Sequence, residues 1–244
     1  MDDHFGERVA AEYDESYAEL FEPDVVGPMV DLLAELANGG RALEFGIGTG
    51  RVALPLARRG ISVHGIDLST AMVTRLRAKP DAAAIGTTIG DFATTRVDGP
   101  FSVAYLVFNT IMNLTTQAAQ VACFANAATH LEPGGCFVIE VGVPDLRSLP
   151  PGQTMVPFQD GPTRWAFDRY DVATQQMSSN YIDVADGRGD YRSIPFRYVW
   201  PAELDLMAQL AGLHPRNRWS DWTRTPFTNE SRKHVSIWSK PEGG

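Results

Sequence analysis

The sequence is short of the residues that hold small secreted or metal-centred folds together. Its only cysteines, in a chain of 244 residues, are Cys123 and Cys136. Two thiols build neither a disulfide framework nor a metal site by themselves, so both are expected to fill core positions. Long apolar runs are also missing: the longest, Val103 to Phe108, is far too short to cross a bilayer. The opening stretch, "MDDHFGERVAAEYDESYAEL", is acidic and polar and has no signal-peptide core. Positive charge is in deficit, with 21 Lys+Arg against 30 Asp+Glu and a formal net charge of −9. That balance argues against a nucleic-acid partner, because phosphate binding needs a basic field. The densest basic cluster, Arg51, Arg58 and Arg59, has helical spacing and reads as a solvated helix face. The expectation is a soluble, cytoplasmic protein without membrane or nucleic-acid contacts.

What is present is a regular alternation of helical and strand periods. With 44% hydrophobic residues the chain can bury a full core. Helices are expected near 7–21 and 25–37, the second closed by Asn38-Gly39-Gly40. A strand at 42–45, a helix at 51–59, a strand at 62–66 and a helix at 69–78 follow, then a short strand at 87–89. "FSVAYLVF" and "CFVIEVGV" are continuous apolar runs of the kind that strands buried on both faces need. They flank a helix at 116–131 that Pro133-Gly134-Gly135 terminates. This order implies βαβ units and one parallel sheet. The rhythm breaks after Gly142. Residues 144–162, rich in proline and glycine, read as loop, and 163–200 as an antiparallel meander of about three strands. A helix at "PAELDLMAQLAGL", with Pro201 in its first turn and Gly212 at its C-cap, precedes two last strands near 216–222 and 234–239.

The loop in "LEFGIGTGR" lies where a nucleotide-type ligand binds, after the first strand. A redox dinucleotide site needs a glycine for the turn, one for pyrophosphate approach and one for helix–strand packing. Here the third glycine, Gly50, comes one residue early, and Arg51 occupies the position that needs Gly or Ala. Glu44 beside the loop would repel a pyrophosphate and stabilise a cation. Asp67 ends the second strand at the sheet edge where ligands bind, and one carboxylate there accepts from both hydroxyls of a ribose. It also reads as a helix N-cap, a role Ser69 is equally suited to fill. Gly90-Asp91-Phe92 after the third strand would offer an acceptor to an adenine amino group and an aromatic neighbour, or would form a simple turn.

"LEFGIGTGR", "GIDLSTAMV", "GDFAT", "VAYLVFNTIMNL" and "LEPGGCFVIEV", in this order, resemble the class I S-adenosylmethionine-dependent methyltransferases. The resemblance covers about 1–143 closely and 201–240 in outline. It implies an α/β fold: a three-layer, Rossmann-like, seven-stranded and mostly parallel sheet with an antiparallel last strand. The cofactor would be S-adenosyl-L-methionine, with S-adenosyl-L-homocysteine as product. Its methionine moiety would meet Glu44 and the loop Gly46, Gly48, Thr49 and Gly50; its ribose, Asp67; its adenine, Leu68, Met72, Gly90, Asp91 and Phe92. The backbone near Val107 would meet its amino group, and Tyr13 would close over its carboxylate unless it only packs its helix.

The layout is similar to small-molecule methyltransferases of the amino-sugar and glycine type. It implies an N-terminal helical lid (1–40), a cofactor-binding domain (41–143 and 201–244) and an antiparallel β insertion after strand five that caps the acceptor (144–200). The reaction would be in-line transfer of a methyl group to O or N of a small-molecule acceptor. Cofactor binding without catalysis and, less favoured, a nicotinamide-dependent oxidoreductase are the alternatives. Glu140, ending strand five at the ligand edge, is the candidate general base, or else a partner for a backbone amide or an arginine. Asn109 and Asn113 are further candidates for holding acceptor or cofactor. Trp165, Tyr181, Arg197 and Tyr198 would wall the acceptor pocket. A homodimer through the meander is the competing use of that sheet. The histidines promise little: His64 reads as a satisfied strand residue, and His130 as a helix-end cation favoured by the helix dipole.

Overall fold

The computed structural model describes residues 6–242; His4 lies outside them. In chain order the elements are α1 (Glu7–Ser16), α2 (Pro23–Ala37), β1 (Arg41–Phe45), α3 (Ala53–Arg58), β2 (Ser62–Asp67), α4 (Thr70–Arg77), β3 (Gly86–Ile89), β4 (Phe101–Leu106), α5 (Gln117–His130) and β5 (Leu131–Gly142). Then come β6 (Met155–Asp160), β7 (Arg164–Asp171), β8 (Gln176–Ala185), β9 (Arg188–Arg197), α6 (Pro201–Leu210), β10 (His214–Trp219) and β11 (Lys233–Ser239).

Seven strands form one sheet in the order β10-β11-β5-β4-β1-β2-β3. Strands β1 to β5 pair in parallel, and β11 inserts antiparallel to both β5 and β10. The continuous apolar run in β4 has a simple cause. Val103 and Tyr105 belong to the core under α2 and α3, while Ala104 and Leu106 belong to the core under α5 and α6. Both faces are covered, so both parities are apolar. A second sheet, β6-β7-β8-β9, is wholly antiparallel. Among the described residues no helix is long and apolar enough to cross a membrane.

The local chemistry explains most boundaries. Asn38, left-handed at φ 46, ends α2, and Ser69 Oγ accepts from the Met72 N–H at 3.3 Å to start α4. Three expectations need correction. The first helix stops at Ser16 and gives way to a 3₁₀ turn, Ala18–Phe21. Pro133-Gly134-Gly135 does not end α5, which passes at Leu131 straight into β5; the triplet forms an irregular stretch of that strand. The meander has four strands, because Met155–Asp160 is a strand and not loop. Pro157 disguised it: proline is tolerated on an edge strand, and β6 is the edge, with a register shift beside Pro157.

Candidate active site

Gly46, Gly48 and Gly50 all take positive φ, at 73°, 53° and 83°. At Gly50 the reason is packing: a Cβ there would lie 2.3 Å from Leu76 Cδ1. At Gly48 a Cβ would meet only Met72 Cε, at 3.7 Å, and otherwise face open space. The freed Gly48 N–H donates to Asp67 Oδ2 at 2.7 Å, and the other oxygen accepts from Ser69 N at 2.8 Å. Asp67 therefore braces the loop and the start of α4 while Ser69 caps the helix. Its neighbours Leu68 and Met72 are half-buried and buried at the same edge.

Glu44 is buried, and its Oε2 accepts from the Tyr105 hydroxyl at 3.0 Å. Among the described residues it has no ion-pair partner. Burial pushes its carboxyl up to about 8, against the pull of the Tyr105 hydroxyl and the Arg51 charge. A carboxylate in that position favours a ligand that brings positive charge. Arg51 is not a solvated helix residue: its guanidinium lies over the Phe108 ring, 4.7 Å from the centroid. The surface pairs Arg58–Asp81 and Arg59–Asp31 fit the expected solvated face.

Thr49 does not face the cradle with its hydroxyl, which donates to Asp14 Oδ1 at 2.6 Å. Lys79 pairs with Asp14 and donates to the Thr49 carbonyl at 2.8 Å. This clamp lays α1 on the glycine loop. It brings Tyr13 against Ala71 and Met72, with the Tyr17 ring 4.9 Å away, and burial pushes the Tyr13 hydroxyl up to about 12.

Gly90 donates to the Asp67 carbonyl at 2.9 Å, and Asp91 Oδ1 accepts from Ala93 N at 2.8 Å, so the tripeptide does form a turn. Phe92 is buried. Its ring is in the core, 5.9 Å from Phe45 and nearly parallel to it. The Val107 carbonyl accepts from Thr110 Oγ1 at 2.6 Å and so closes a turn. In that turn Phe108 and Asn109 both have positive φ, 57° and 61°. For a phenylalanine this is strained backbone, on the order of 1–3 kcal/mol. Glu140 and Asn109 hold it. Glu140 Oε2 accepts from Phe108 N at 3.3 Å, Oε1 pairs with Lys233 at 3.1 Å, and Asn109 Oδ1 accepts from Gly142 N at 2.7 Å. Glu140 thus has an amide and a lysine as partners and does not line the cleft described next.

Between that turn, α1 and the antiparallel sheet lies a cleft of about 420 Å³. Strand parity decides which residues reach it. The register pairs Asp168 with Ser179, Tyr170 with Met177 and Met177 with Phe196, so Asp168, Tyr170, Met177, Ser179, Tyr181, Ile194 and Phe196 share the inner face. Tyr198, Tyr13, Tyr17, Phe108, Asn109 and Asn113 complete much of the lining. Trp165 and Arg197 have the opposite parity. Trp165 is 52% exposed, and Arg197 is buried behind the sheet, donating to Glu203 at 2.7 Å and Gln120 at 2.5 Å. Of the four wall residues expected from sequence, only Tyr181 and Tyr198 line the cleft. Tyr13, Tyr17 and Tyr181 also line an outer chamber of about 460 Å³ that has Arg164, Asp183, Asp190 and Arg192 on its wall.

Sequence reasoning missed Asp168, Ser179, Tyr17 and Phe108. The period-2 pattern would have paired Asp168 with Tyr170, but only the cross-strand register joins them to Ser179 and Tyr181. The described histidines stay outside the cleft. His64 is hydrogen-bonded to Thr88 Oγ1 at 2.9 Å. His130 is not a helix-end cation: it is buried, accepts from Val97 N at 3.0 Å, and bonds the Asn126 carbonyl at 2.8 Å, and burial lowers its pKa.

A family model for a methyltransferase domain matches residues 42–135. The chain is 35% identical to the CcbJ methyltransferase of Streptomyces caelestis, with 98% of each chain covered and a TM-score of 0.84. An S-adenosylmethionine-dependent methyltransferase from Clostridium acetobutylicum is 13% identical at a TM-score of 0.74, covering 96% of this chain and 99% of that one. CalS10, an amino pentose methyltransferase from Micromonospora echinaspora, is 20% identical at 0.68, over 93% and 96%. A search of curated protein sequences found no significant match.

Proposed function

Because the chain belongs to the S-adenosylmethionine-dependent methyltransferases, we propose that it methylates an oxygen or nitrogen of a small-molecule acceptor held under the antiparallel sheet. The observation that carries this reading is the position of Tyr13, which packs on Met72 beside the glycine loop and also lines the cleft. Cofactor cradle and acceptor cleft therefore meet at one side chain.

The residues present fit S-adenosyl-L-methionine. Glu44 is a buried carboxyl group with no ion-pair partner among the described residues, Gly48 leaves open space over the loop, and Asp67 lies at the strand end that suits a ribose. Leu68, Met72, Gly90 and Asp91 lie near enough along that edge to bound an adenine, the last two through their turn. When bound at these residues, the cofactor would supply an electrophilic methyl group to the acceptor, with S-adenosyl-L-homocysteine as the product. The protein aligns the acceptor and excludes water, and alignment alone lowers such a barrier by roughly 7–11 kcal/mol. Tyr13 on α1 and Tyr17 just past its end close one side, Phe108 on its braced turn forms the floor, and the sheet forms the roof. Glu140 acts here through Phe108, by fixing the turn.

The net charge of −9 supports a small acceptor over a nucleic acid. The likeness to an amino pentose methyltransferase agrees with an acceptor of that size. Trp165 and Tyr191, 52% and 60% exposed, lie on the outer face of the roof sheet and would serve a homodimer; sedimentation of Trp165→Ser checks that use. The central test is calorimetry with S-adenosylmethionine, S-adenosylhomocysteine and NADH, followed by an acceptor screen that detects released S-adenosylhomocysteine. Binding of NADH alone would sink the reading, and cofactor binding without turnover of any acceptor would favour a non-catalytic binder.

A further inference from the structure

Asp168 is the only charged side chain among the described residues that line the inner cleft; no lysine, arginine or histidine faces it there. Among the described residues its one hydrogen bond from a side chain comes from Ser179, its cross-strand partner, whose hydroxyl donates to Oδ1 at 2.6 Å. No ion pair involving it is formed among the described residues. The other walls are largely aromatic: Tyr13, Tyr17 and Phe108 from one side, Tyr170 and Tyr181 from the sheet. The Tyr17 and Phe108 rings meet edge to face with centroids 5.8 Å apart.

A single carboxylate among π faces is the arrangement that attracts an organic cation. The carboxylate supplies charge, and the ring faces stabilise the cation's substituents. A neutral alcohol gains little from it, and an anionic acceptor would be repelled. Resting on the methyltransferase reading above, we propose that the acceptor is an amine and that Asp168 is the residue that holds its ammonium form and fixes the nitrogen in the cleft.

Burial raises the Asp168 carboxyl above its usual range, which makes it a better proton acceptor than a surface aspartate. An acceptor ammonium has no lone pair to give. When one N–H bond breaks and the proton forms an O–H bond on Asp168, the carboxylate becomes neutral and the nitrogen keeps the electron pair that bonding to carbon needs. Ser179, hydrogen-bonded to Oδ1, keeps the carboxyl group in one rotamer through this change.

The test uses the full chain loaded with S-adenosylhomocysteine and two matched pairs of probes, piperidine with cyclohexanol and benzylamine with benzyl alcohol, measured by ligand-observed NMR and calorimetry at pH 7.5. The amines should bind at least tenfold more tightly than the alcohols. Asp168→Asn should abolish that preference by weakening the amines alone, and Asp168→Glu should restore part of it. Equal binding of amines and alcohols, absence of binding by both, or a preference that survives Asp168→Asn would each overturn the proposal. S-adenosylhomocysteine binding by the same variant shows that it is folded. If the cofactor product fails to bind the wild type, the methyltransferase reading falls instead, and the amine preference measured on the unloaded chain still decides the role of Asp168.

Discussion

The Gly48 N–H donates to the Asp67 carboxylate at 2.7 Å, so the glycine loop and the acidic strand end are one mechanical unit. Asp67→Ala removes this brace together with the expected bonds to a ribose. S-adenosylmethionine affinity should fall by on the order of 2–4 kcal/mol, read by calorimetry. A Cβ added at Gly48 meets no protein atom closer than 3.7 Å, and Gly48→Val strains a backbone at φ 53°. It should fold, with a reduced melting temperature, and lose the cofactor. A variant that binds normally would show that the ligand lies elsewhere.

Glu44 gives a pH dependence. Burial raises its folded pKa to about 8, above the ordinary carboxyl value of 4.5, so between those values the folded state holds a proton that the unfolded state releases. The cofactor-free protein should therefore lose stability as pH rises through that window. Glu44→Gln should raise its melting temperature at pH 8. The same change should weaken S-adenosylmethionine, and the affinity of wild type should increase as pH rises through about 8. Opposite signs for stability and affinity in one variant are the diagnostic outcome.

The Asp14–Thr49 hydrogen bond at 2.6 Å, reinforced by Lys79, fastens α1 over the loop. Asp14→Ala should release it. Hydrogen exchange over residues 7–16 should accelerate, and cofactor Kd should rise roughly tenfold, about 1.4 kcal/mol. Unchanged exchange in α1 would mean that packing of Tyr13 alone holds the helix.

Arg197 and Tyr181, neighbours in the second sheet, should fail in different ways. Arg197→Met breaks a buried network with Glu203 and Gln120 and should destabilise by about 3–5 kcal/mol, visible in urea unfolding, with little change in acceptor KM at permissive temperature. Tyr181→Ala should raise acceptor KM while stability changes modestly, because it lines both chambers of the cleft. A KM effect confined to Arg197 would reverse this assignment.

Acid should unfold the protein partly through His234. It is fully buried, bonds Ser236 Oγ at 2.8 Å, and burial lowers its pKa to about 4. The unfolded chain therefore binds a proton that the folded one refuses, and stability should fall as pH drops from about 6.5 to 4. The loss attributable to this group is about 3 kcal/mol. Chemical denaturation at stepped pH should give a shallower slope for His234→Gln.

The sequence by itself determined the parallel sheet, the glycine loop and the acidic strand end. Each is written locally: buried strands are apolar at every position, helix caps are single residues, and positive φ selects glycine. The family was legible for the same reason, since its motifs are short and lie at the ends of successive strands. Tertiary structure decided the rest. Whether Trp165 or Asp168 enters the cleft is a matter of strand parity and cross-strand register, which a residue list without pairing does not contain. Thr49 and Glu140 look like ligand contacts in the chain, yet their partners, Asp14 and Lys233, come from remote segments that only folding brings near. Phe108 owes its position to a strained turn that no propensity favours, held by a carboxylate 32 residues away in sequence. Non-local hydrogen bonds, not local preference, shape the cleft.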